Sequence, residues 1–142
     1  MEKDEILSNI ATTCCRLKPS KIHGIGVHAI LDIKKGRSLF PECACNLKKI
    51  VSINKSEVNN LNKNIIKMMS DFFIESDTHY FTFKSLNRID ISYFLNHSDH
   101  PNCKWLEEDD SYRTLRNIKE GEELTLNYDQ YLESDITIIK NW

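Results

Sequence analysis

The sequence predicts a mainly β domain of short strands with one helix inserted among them. Most apolar runs are short and end at Gly, Asn, Asp or Pro, which is typical of strands joined by turns. One segment instead repeats apolar residues every three or four positions. A chain of 142 residues without a linker or a low-complexity segment suits one domain, so we treat residues 1–142 as a single predicted domain.

The predicted strands combine β-branched, aromatic or aliphatic residues with turn-forming residues at their ends. In chain order they are Cys14–Lys18, Gly26–Ala29, Leu39–Glu42, Leu47–Ile53, Tyr80–Lys84, Lys104–Glu107, Tyr112–Arg116 and Glu123–Asn127. Two stretches, Asp32–Leu39 and Asn117–Leu124, echo each other. Both are predicted to be tight turns closed by a glycine at positive φ before a strand.

The inserted helix is predicted where apolar residues recur at helical spacing, at Val58, Leu61, Ile65, Met68 and Phe72. Ser56 is the predicted N-cap, because a serine side chain can accept a hydrogen bond from the first free backbone N–H groups. The helix would then have about four turns.

Charge and hydropathy exclude several classes of function. The net charge is −2 and no basic block is present, which argues against a dedicated nucleic-acid binder. No apolar run approaches the roughly 18–20 residues that span a membrane. The N-terminus, MEKDEILSNI, is acidic and lacks the apolar core of a signal peptide. We therefore expect a soluble, intracellular protein that binds neither nucleic acid nor a membrane directly.

The chain has an odd number of cysteines, namely Cys14, Cys15, Cys43, Cys45 and Cys103. Without a secretory signal, this number is typical of reduced thiols. Cys43 and Cys45 would share one face of a strand, either as half of a metal site or through simple core packing. Because no second pair with ligand spacing follows, we expect no metal.

Three segments stand out as candidate sites. Gly24-Ile25-Gly26 precedes a strand, and paired glycines let a ligand or another backbone approach closely, although a tight turn also explains them. The apolar run that ends at Leu95 is followed abruptly by Asn96-His97-Ser98, which is more than a turn requires. Tyr128 closes the last predicted strand, where a half-buried sheet residue is the ordinary interpretation.

Together and in this order, the three segments resemble the SET domain, the fold of most protein lysine methyltransferases. The matching segments are IHGIGVHAILDIKKGRSLF, YFLNHSDHPN and IKEGEELTLNYD, and the resemblance covers residues 12–131. It implies small, short-stranded sheets and a C-terminal pseudoknot-like crossing, which breaks the usual rule against threaded loops. Residues 132–142 would then be a tail that can serve as a lid. The chain is similar to the minimal stand-alone members from viruses and bacteria.

The resemblance implies S-adenosylmethionine as methyl donor, with S-adenosylhomocysteine as product, and the ε-amine of a protein lysine as acceptor. It implies that Tyr128 is the catalytic residue, whose hydroxyl orients the amine and the methyl group. The donor-binding residues that it implies are Ile25, Gly26, Tyr93, Asn96, His97 and Tyr128, and Tyr80 and Tyr131 are weaker candidates for the substrate channel. For His97, a purely structural histidine stays an alternative.

The chain departs from the larger members of this family at two positions. They carry a cysteine where this chain has Asp99, and a Cys-rich tail completes a zinc site there, whereas the tail of this chain has no cysteine. No zinc is therefore expected. Many members have arginine where this chain has Tyr93, so a donor contact is missing or replaced.

The resemblance also implies partners. The substrate would be a protein with an exposed lysine, with a histone tail as the first expectation, and the location the nucleus or host nucleus, otherwise the cytoplasm. The acidic residues 107–110 and 120–123 would attract a basic peptide, although a solvated hairpin tip also explains the first group. A homodimer is allowed. Two alternatives are a non-catalytic SET-like module that binds a basic peptide or cofactor, and a structural protein whose motifs only hold the fold.

Overall fold

The computed structural model describes residues 2–41, 50–106, 108 and 111–129. Its two α-helices are α1 (Lys3–Ala11) and α2 (Lys63–Phe72), and short 3-10 turns cover Lys55–Glu57, Leu86–Arg88 and Ile91–Phe94. The strands are β1 (Cys15–Pro19), β2 (Ile25–Ala29), β3 (Val51–Asn54), β4 (Ile74–Glu75), β5 (His79–Thr82), β6 (Asn96–His97), β7 (Cys103–Leu106), β8 (Ser111–Thr114) and β9 (Glu123–Leu126). In this part of the chain, neither helix is long and apolar enough to cross a membrane.

The strands form three small sheets, which confirms the mainly β prediction. Their orders are β1-β2-β9-β6, β3-β5-β4 and β7-β8. All neighbours are antiparallel except β6 and β9, which run parallel with Asn96 opposite Thr125 and His97 opposite Leu126. Parallel neighbours need a long connection. Here that connection carries β7 and β8, so the parallel pair returns the chain to β6 just before Tyr128.

The two echoing stretches pair with each other at the centre of the fold. Ile33 and Ile118 form a bridge in which each backbone N–H donates to the other residue's carbonyl oxygen, at 2.8 Å in both directions. Both side chains are fully buried. Gly36 and Gly121 have φ values of 85° and 89°, so the predicted turns with a glycine at positive φ are confirmed.

The core lies between the sheets and fixes the strands that carry the three motifs. Its most deeply buried side chains include Val27 of β2, Leu95 just before β6 and Leu124 of β9. Val27 and Leu95 are adjacent in sequence to Gly26 and Asn96, which the sequence analysis marked as functional, and Leu124 is adjacent to Glu123. Burial of a large aliphatic side chain contributes about 1.5–3 kcal/mol, so these anchors hold the neighbouring polar residues in place.

The inserted helix is shorter than predicted, and its N-cap is a different residue. Ser56 lies in a 3-10 turn, where the Asn54 side chain accepts from the Ser56 N–H at 3.0 Å and Glu57 completes a capping box. α2 begins later, with Asn62 as N-cap and its side chain accepting from the Asn64 N–H at 2.8 Å. The prediction of four continuous turns was wrong because the Asn54 cap closes a separate short turn.

Three further elements were not predicted. Helix α1 has no buried residue, so no sharp apolar stripe marks it in the sequence. The strands β4 and β6 have two residues each, which is too short for an alternating pattern. The predicted strand at Leu39 is reduced to a bridge between Ser38 and Arg113, with the Leu39 N–H donating to the Tyr112 carbonyl at 2.9 Å.

Candidate functional site

The parallel pairing of β6 with β9 brings the three sequence motifs to one place. Asn96 contributes its side chain from β6, Glu123 from the start of β9, and Gly26 lies on β2, the neighbour of β9. Ser20 adds its hydroxyl from the loop between β1 and β2. The convergence of the glycine segment, the Asn-His segment and the Tyr128 segment therefore agrees with the site predicted from the sequence.

Asn96 is the centre of a hydrogen-bonded cluster and is only 8% exposed. Its Nδ2 group lies 3.0 Å from Ser20 Oγ, 3.0 Å from the His23 carbonyl oxygen and 2.9 Å from Glu123 Oε2, and it donates to these acceptors. The Ser20 hydroxyl donates to the same carboxylate, at 2.7 Å from Oε1. Buried hydrogen bonds to a charged group are each worth about 1.5–3 kcal/mol, so the loop, β6 and β9 are held together here.

Gly26 has a packing role in this cluster. A Cβ atom at this position would lie 2.5 Å from Glu123 Oε2 and 3.1 Å from Asn96 Nδ2. The carboxylate and the amide therefore occupy the space that any other residue would fill. This is the close approach that the paired glycines predicted, although what approaches is a pair of side chains of the same chain.

Glu123 gives the cluster a negative charge with little compensation. Its side chain is 13% exposed, and among the described ion pairs its one partner is His28, whose Nε2 lies 3.7 Å from Oε1. His28 Nδ1 is buried and has no hydrogen-bond partner among the described residues.

Sequence analysis missed Ser20 and did not single out Glu123 as part of the site. Glu123 lies inside the third matching motif, which was the available signal.

Tyr128 is fixed at both its hydroxyl and its backbone. The hydroxyl donates a hydrogen bond to the Leu95 carbonyl oxygen, and the backbone N–H donates to His97 Nδ1 at 3.0 Å. The residue is 41% exposed, but burial of its hydroxyl end and the charge of Glu123 raise the pKa of Tyr128 to about 12. The phenol is therefore neutral at physiological pH.

His97 uses both ring nitrogens within the protein. Because Nδ1 accepts the Tyr128 N–H, the proton of the neutral ring lies on Nε2, which is 3.0 Å from Asp99 Oδ1. The imidazole and phenol rings are 5.2 Å apart and tilted. His97 was predicted to bind the donor. In the structure its ring contacts Tyr128 and Asp99, and donor binding by His97 stays a prediction beside the structural alternative.

Leu95 and Tyr128 also line a cavity of about 270 Å³. Its wall is mostly aromatic and aliphatic, and it is formed by α2, β4, β5, the Ile91–Phe94 turn and the end of β9. The lining residues are Ser70, Asp71, Phe72, Phe73, Ile74, Glu75, Phe81, Thr82, Phe83, Ser92, Tyr93, Leu95, Tyr112, Leu126 and Tyr128. Tyr128 thus lines an apolar cavity and bonds to Leu95, the residue before Asn96 of the polar cluster.

The remaining predicted site residues lie at different distances from this junction. Tyr93 lines the cavity, and its hydroxyl lies 3.1 Å from Thr82 Oγ1; its contact with the donor stays a prediction. Tyr80 is buried, with its hydroxyl 3.2 Å from Ser70 Oγ, and it is not among the described residues that line the cavity.

Two further predictions concern the ends of the site. The Ile25 side chain is exposed, and its backbone pairs with Pro19 of β1. Tyr131 and the tail proposed as a lid lie outside the described residues.

Among the residues that the structure describes, no group of three or more His, Cys, Asp or Glu side chains could hold a metal ion.

The polar cluster fits the charges of S-adenosylmethionine, which carries a sulfonium and an ammonium group. The Glu123 carboxylate supplies a negative charge to the cluster. The Asn96 side-chain oxygen has no donor among the described residues and can accept a hydrogen bond from an ammonium group. Glu123, Asn96 and the backbone around Ile25 would hold the donor here.

Comparisons with known proteins agree with the resemblance seen in the sequence. The SET domain family matches residues 24–129, which is most of the chain. No curated protein matches. One similar solved structure is a "putative histone methyltransferase" of Plasmodium falciparum, with 19% identity, a TM-score of 0.43, and coverage of 82% of this chain and 93% of that one. The family match confirms the fold predicted from the three motifs: the chain belongs to the SET domain family.

Proposed function

We propose that this protein is an S-adenosylmethionine-dependent protein-lysine N-methyltransferase. The observation that carries the proposal is the position of Tyr128: its hydroxyl donates to the Leu95 carbonyl, next in sequence to Asn96 of the acidic polar cluster, and the residue also lines an apolar cavity. A cationic methyl donor suits the first environment. A lysine side chain suits the second, because its methylene groups are apolar and its amine must lose a proton before it reacts.

The apolar cavity supports deprotonation of the acceptor amine. With a pKa near 10.4, a free lysine costs about 4–5 kcal/mol to deprotonate at pH 7. Burial in an apolar environment lowers this cost because it disfavours the ammonium form. Phe81, Phe83 and Leu126 supply such a wall directly beside Tyr128. Asp71 and Glu75 also line the cavity, where each pairs with a lysine of the chain, and they would attract the incoming cation.

The hydrogen bond of Tyr128 decides what its hydroxyl can do. Its proton is directed to the Leu95 carbonyl, so the phenol oxygen has lone pairs left to accept from the N–H of a neutral lysine amine. An amine held in this way keeps its own lone pair for attack on the methyl group that the bound donor supplies. The same oxygen can also accept weak C–H···O contacts from that methyl group. The site need not stabilise a new anion, because the sulfonium charge is lost in the transfer.

Alignment is therefore the main catalytic contribution that we assign to these residues. Holding two reacting groups in a near-attack geometry can contribute about 7–11 kcal/mol. His97 fixes the backbone of Tyr128 and Leu95 fixes its hydroxyl, so the phenol has little freedom to turn away. In this proposal Tyr128 is catalytic, while His97 is a positioning residue.

A histone tail is the proposed substrate class. Such tails are basic, and exposed Glu120 and Glu108 together with the cavity carboxylates give the chain acidic groups that attract a basic peptide. The other residues of the acidic stretch 107–110 lie outside the described residues. Activity on histones would place the protein in a nucleus, its own or that of a host. The homodimer that the sequence allows is not tested by these observations.

The test is methyl transfer from radiolabelled S-adenosylmethionine to a panel of purified core histones, with Tyr128→Phe as the matched control. Label on a histone lysine that disappears in the variant supports the proposal. Donor binding without label on any histone would overturn the histone assignment. Absence of donor binding would overturn the enzymatic proposal and favour a structural role for the motifs.

A further inference from the structure

Cys14 and Cys15 form a pair of thiols that methyl transfer does not use. Adjacent residues of an extended strand point to opposite faces. Here both side chains are buried, with exposures of 1% and 6%, and their sulfur atoms lie 3.5 Å apart. Since β1 begins at Cys15, the alternation of the strand does not extend to Cys14. The result is a buried pair of adjacent thiols.

The two thiols line a second cavity, of about 230 Å³. Its other lining residues come from the end of α1, from the segment before β1 and from two later loops. They are Asn9, Thr12, Thr13, Leu39, Phe40, Pro41 and Ile91. A cavity of about 150 Å³ already admits benzene. The space beside the sulfur atoms is thus large enough for a small aryl group.

The hydrogen bond between the thiols shifts their two pKa values in opposite directions. The Cys14 thiol also donates to the Leu39 carbonyl oxygen at 3.7 Å, and the bond with Cys15 together with the Arg37 charge lowers the pKa of Cys14. The same bond and burial raise the pKa of Cys15. Cys14 is therefore the thiol of the pair that ionises more readily. A thiolate is the nucleophile in reactions with soft electrophiles.

The geometry favours chelation of one atom over a disulfide. Adjacent Cα atoms are about 3.8 Å apart, below the usual disulfide range of about 4.4–6.8 Å. With sulfur bonds of about 2.3 Å, sulfurs that are 3.5 Å apart subtend about 100° at a shared atom. A linear two-coordinate ion would need the sulfurs about 4.6 Å apart. The pair therefore suits a pyramidal centre that needs only two protein ligands.

We propose that Cys14 and Cys15 form a dithiol site that chelates one trivalent arsenical. The two thiols displace the oxygen of an arsenoxide: two As–S bonds form, the bonds between arsenic and oxygen break, and both thiol protons leave with the oxygen as water. No atom changes its oxidation state. The organic group of the arsenical occupies the cavity between Leu39, Phe40 and Ile91. This site is independent of methyl transfer.

The first test uses the full chain and phenylarsine oxide, with excess glutathione present to remove adducts of single thiols. Intact mass should show one arsenical per chain, released by ethanedithiol. Free thiols are then alkylated in denaturant, the arsenical is removed, and the newly freed thiols are labelled and mapped. We expect the label on Cys14 and Cys15 and alkylation of Cys103. Label on Cys43 and Cys45, or no stable adduct, would overturn the proposal.

Substitutions give a second test. Cys14→Ser and Cys15→Ser should each weaken retention of the arsenical at least tenfold, because a single remaining thiol competes poorly with glutathione. Cys103→Ser is the matched control. Cys103 is also fully buried in the same core, but it is not one of the described residues that line the cavity. Equal loss of retention in all three variants would overturn the proposal, and the mapping remains decisive if a variant fails to fold.

Discussion

Gly26→Ala tests how tightly the polar cluster is packed. The added Cβ would lie 2.5 Å from Glu123 Oε2, so the carboxylate would have to withdraw by about 0.9 Å to reach an ordinary contact of 3.4 Å. That carboxylate accepts from Ser20 at 2.7 Å and from Asn96 at 2.9 Å, so its withdrawal stretches both bonds. Overpacking and weakened charged hydrogen bonds together predict a loss of about 2–4 kcal/mol in the free energy of unfolding.

The assay is urea unfolding followed by circular dichroism, and the dependence of the unfolding free energy on urea should keep the same slope in all five proteins: wild type, Gly26→Ala, Gly36→Ala, Glu123→Ala and the variant that combines Gly26→Ala with Glu123→Ala. The matched control is Gly36→Ala, which has no neighbouring atom within 4 Å and meets only the strain of its positive φ. That strain costs about 1 kcal/mol. In a Glu123→Ala background the clashing carboxylate is gone, so Gly26→Ala should cost at least about 1.5 kcal/mol less than in the wild type.

Two results would refute this reasoning. Gly26→Ala could prove no more costly than Gly36→Ala, or its cost could be the same with and without Glu123. Either result would mean that the carboxylate does not occupy the space beside Gly26. The packing role assigned to this glycine would then be wrong.

Three other predictions concern the same site. His97→Asn keeps a hydrogen-bond acceptor near the Nδ1 position for the Tyr128 N–H, whereas His97→Gln does not. The single-turnover rate of methyl transfer with bound donor should therefore fall much further in His97→Gln than in His97→Asn. Equal rates would contradict the positioning role. Glu123→Gln should weaken donor binding about tenfold, or about 1.4 kcal/mol, in calorimetry, because it removes the charge and keeps the shape; unchanged affinity would contradict the electrostatic role. Folding raises the pKa of Tyr128 to about 12, so the stabilisation from its neutral phenol is present below about pH 10 and is lost as the pH rises towards 12. Between pH 10 and 12 the free energy of unfolding should fall more in wild type than in Tyr128→Phe. Parallel curves of unfolding free energy against pH would contradict the pKa shift.

The sequence predicted the architecture of the site better than the role of each residue. The spacing of the glycine, Asn-His and Tyr128 segments was enough to predict that they converge, because the motif order matches one fold. The sequence could not show that the Asn96 side-chain nitrogen donates hydrogen bonds to Ser20, His23 and Glu123, because these contacts depend on the pairing of β6 with β9. Glu123 reads as a solvated charge in a run of acids, and only burial shows otherwise.

Local competition explains the errors in the predicted elements. Asn54 and Asn62 both cap, so a segment with one apolar stripe divides into a 3-10 turn and a shorter α2. Helical periodicity alone does not register such a break. Tyr93 was predicted to contact the donor where many family members have arginine; it lies in the Ile91–Phe94 turn beside Thr82, and its donor contact stays a prediction. These outcomes depend on tertiary contacts that no sequence window contains.

The central claim is that the Tyr128 hydroxyl aligns the acceptor amine and does not hold the donor. The direct measurement is the donor affinity of Tyr128→Phe by calorimetry, paired with its single-turnover rate of methyl transfer from labelled S-adenosylmethionine. We predict an affinity within about twofold of wild type and a rate at least about 100-fold lower, since alignment is lost while the cluster of Asn96 and Glu123 is intact. Transfer at the wild-type rate, or loss of donor binding in step with the rate, would contradict the account.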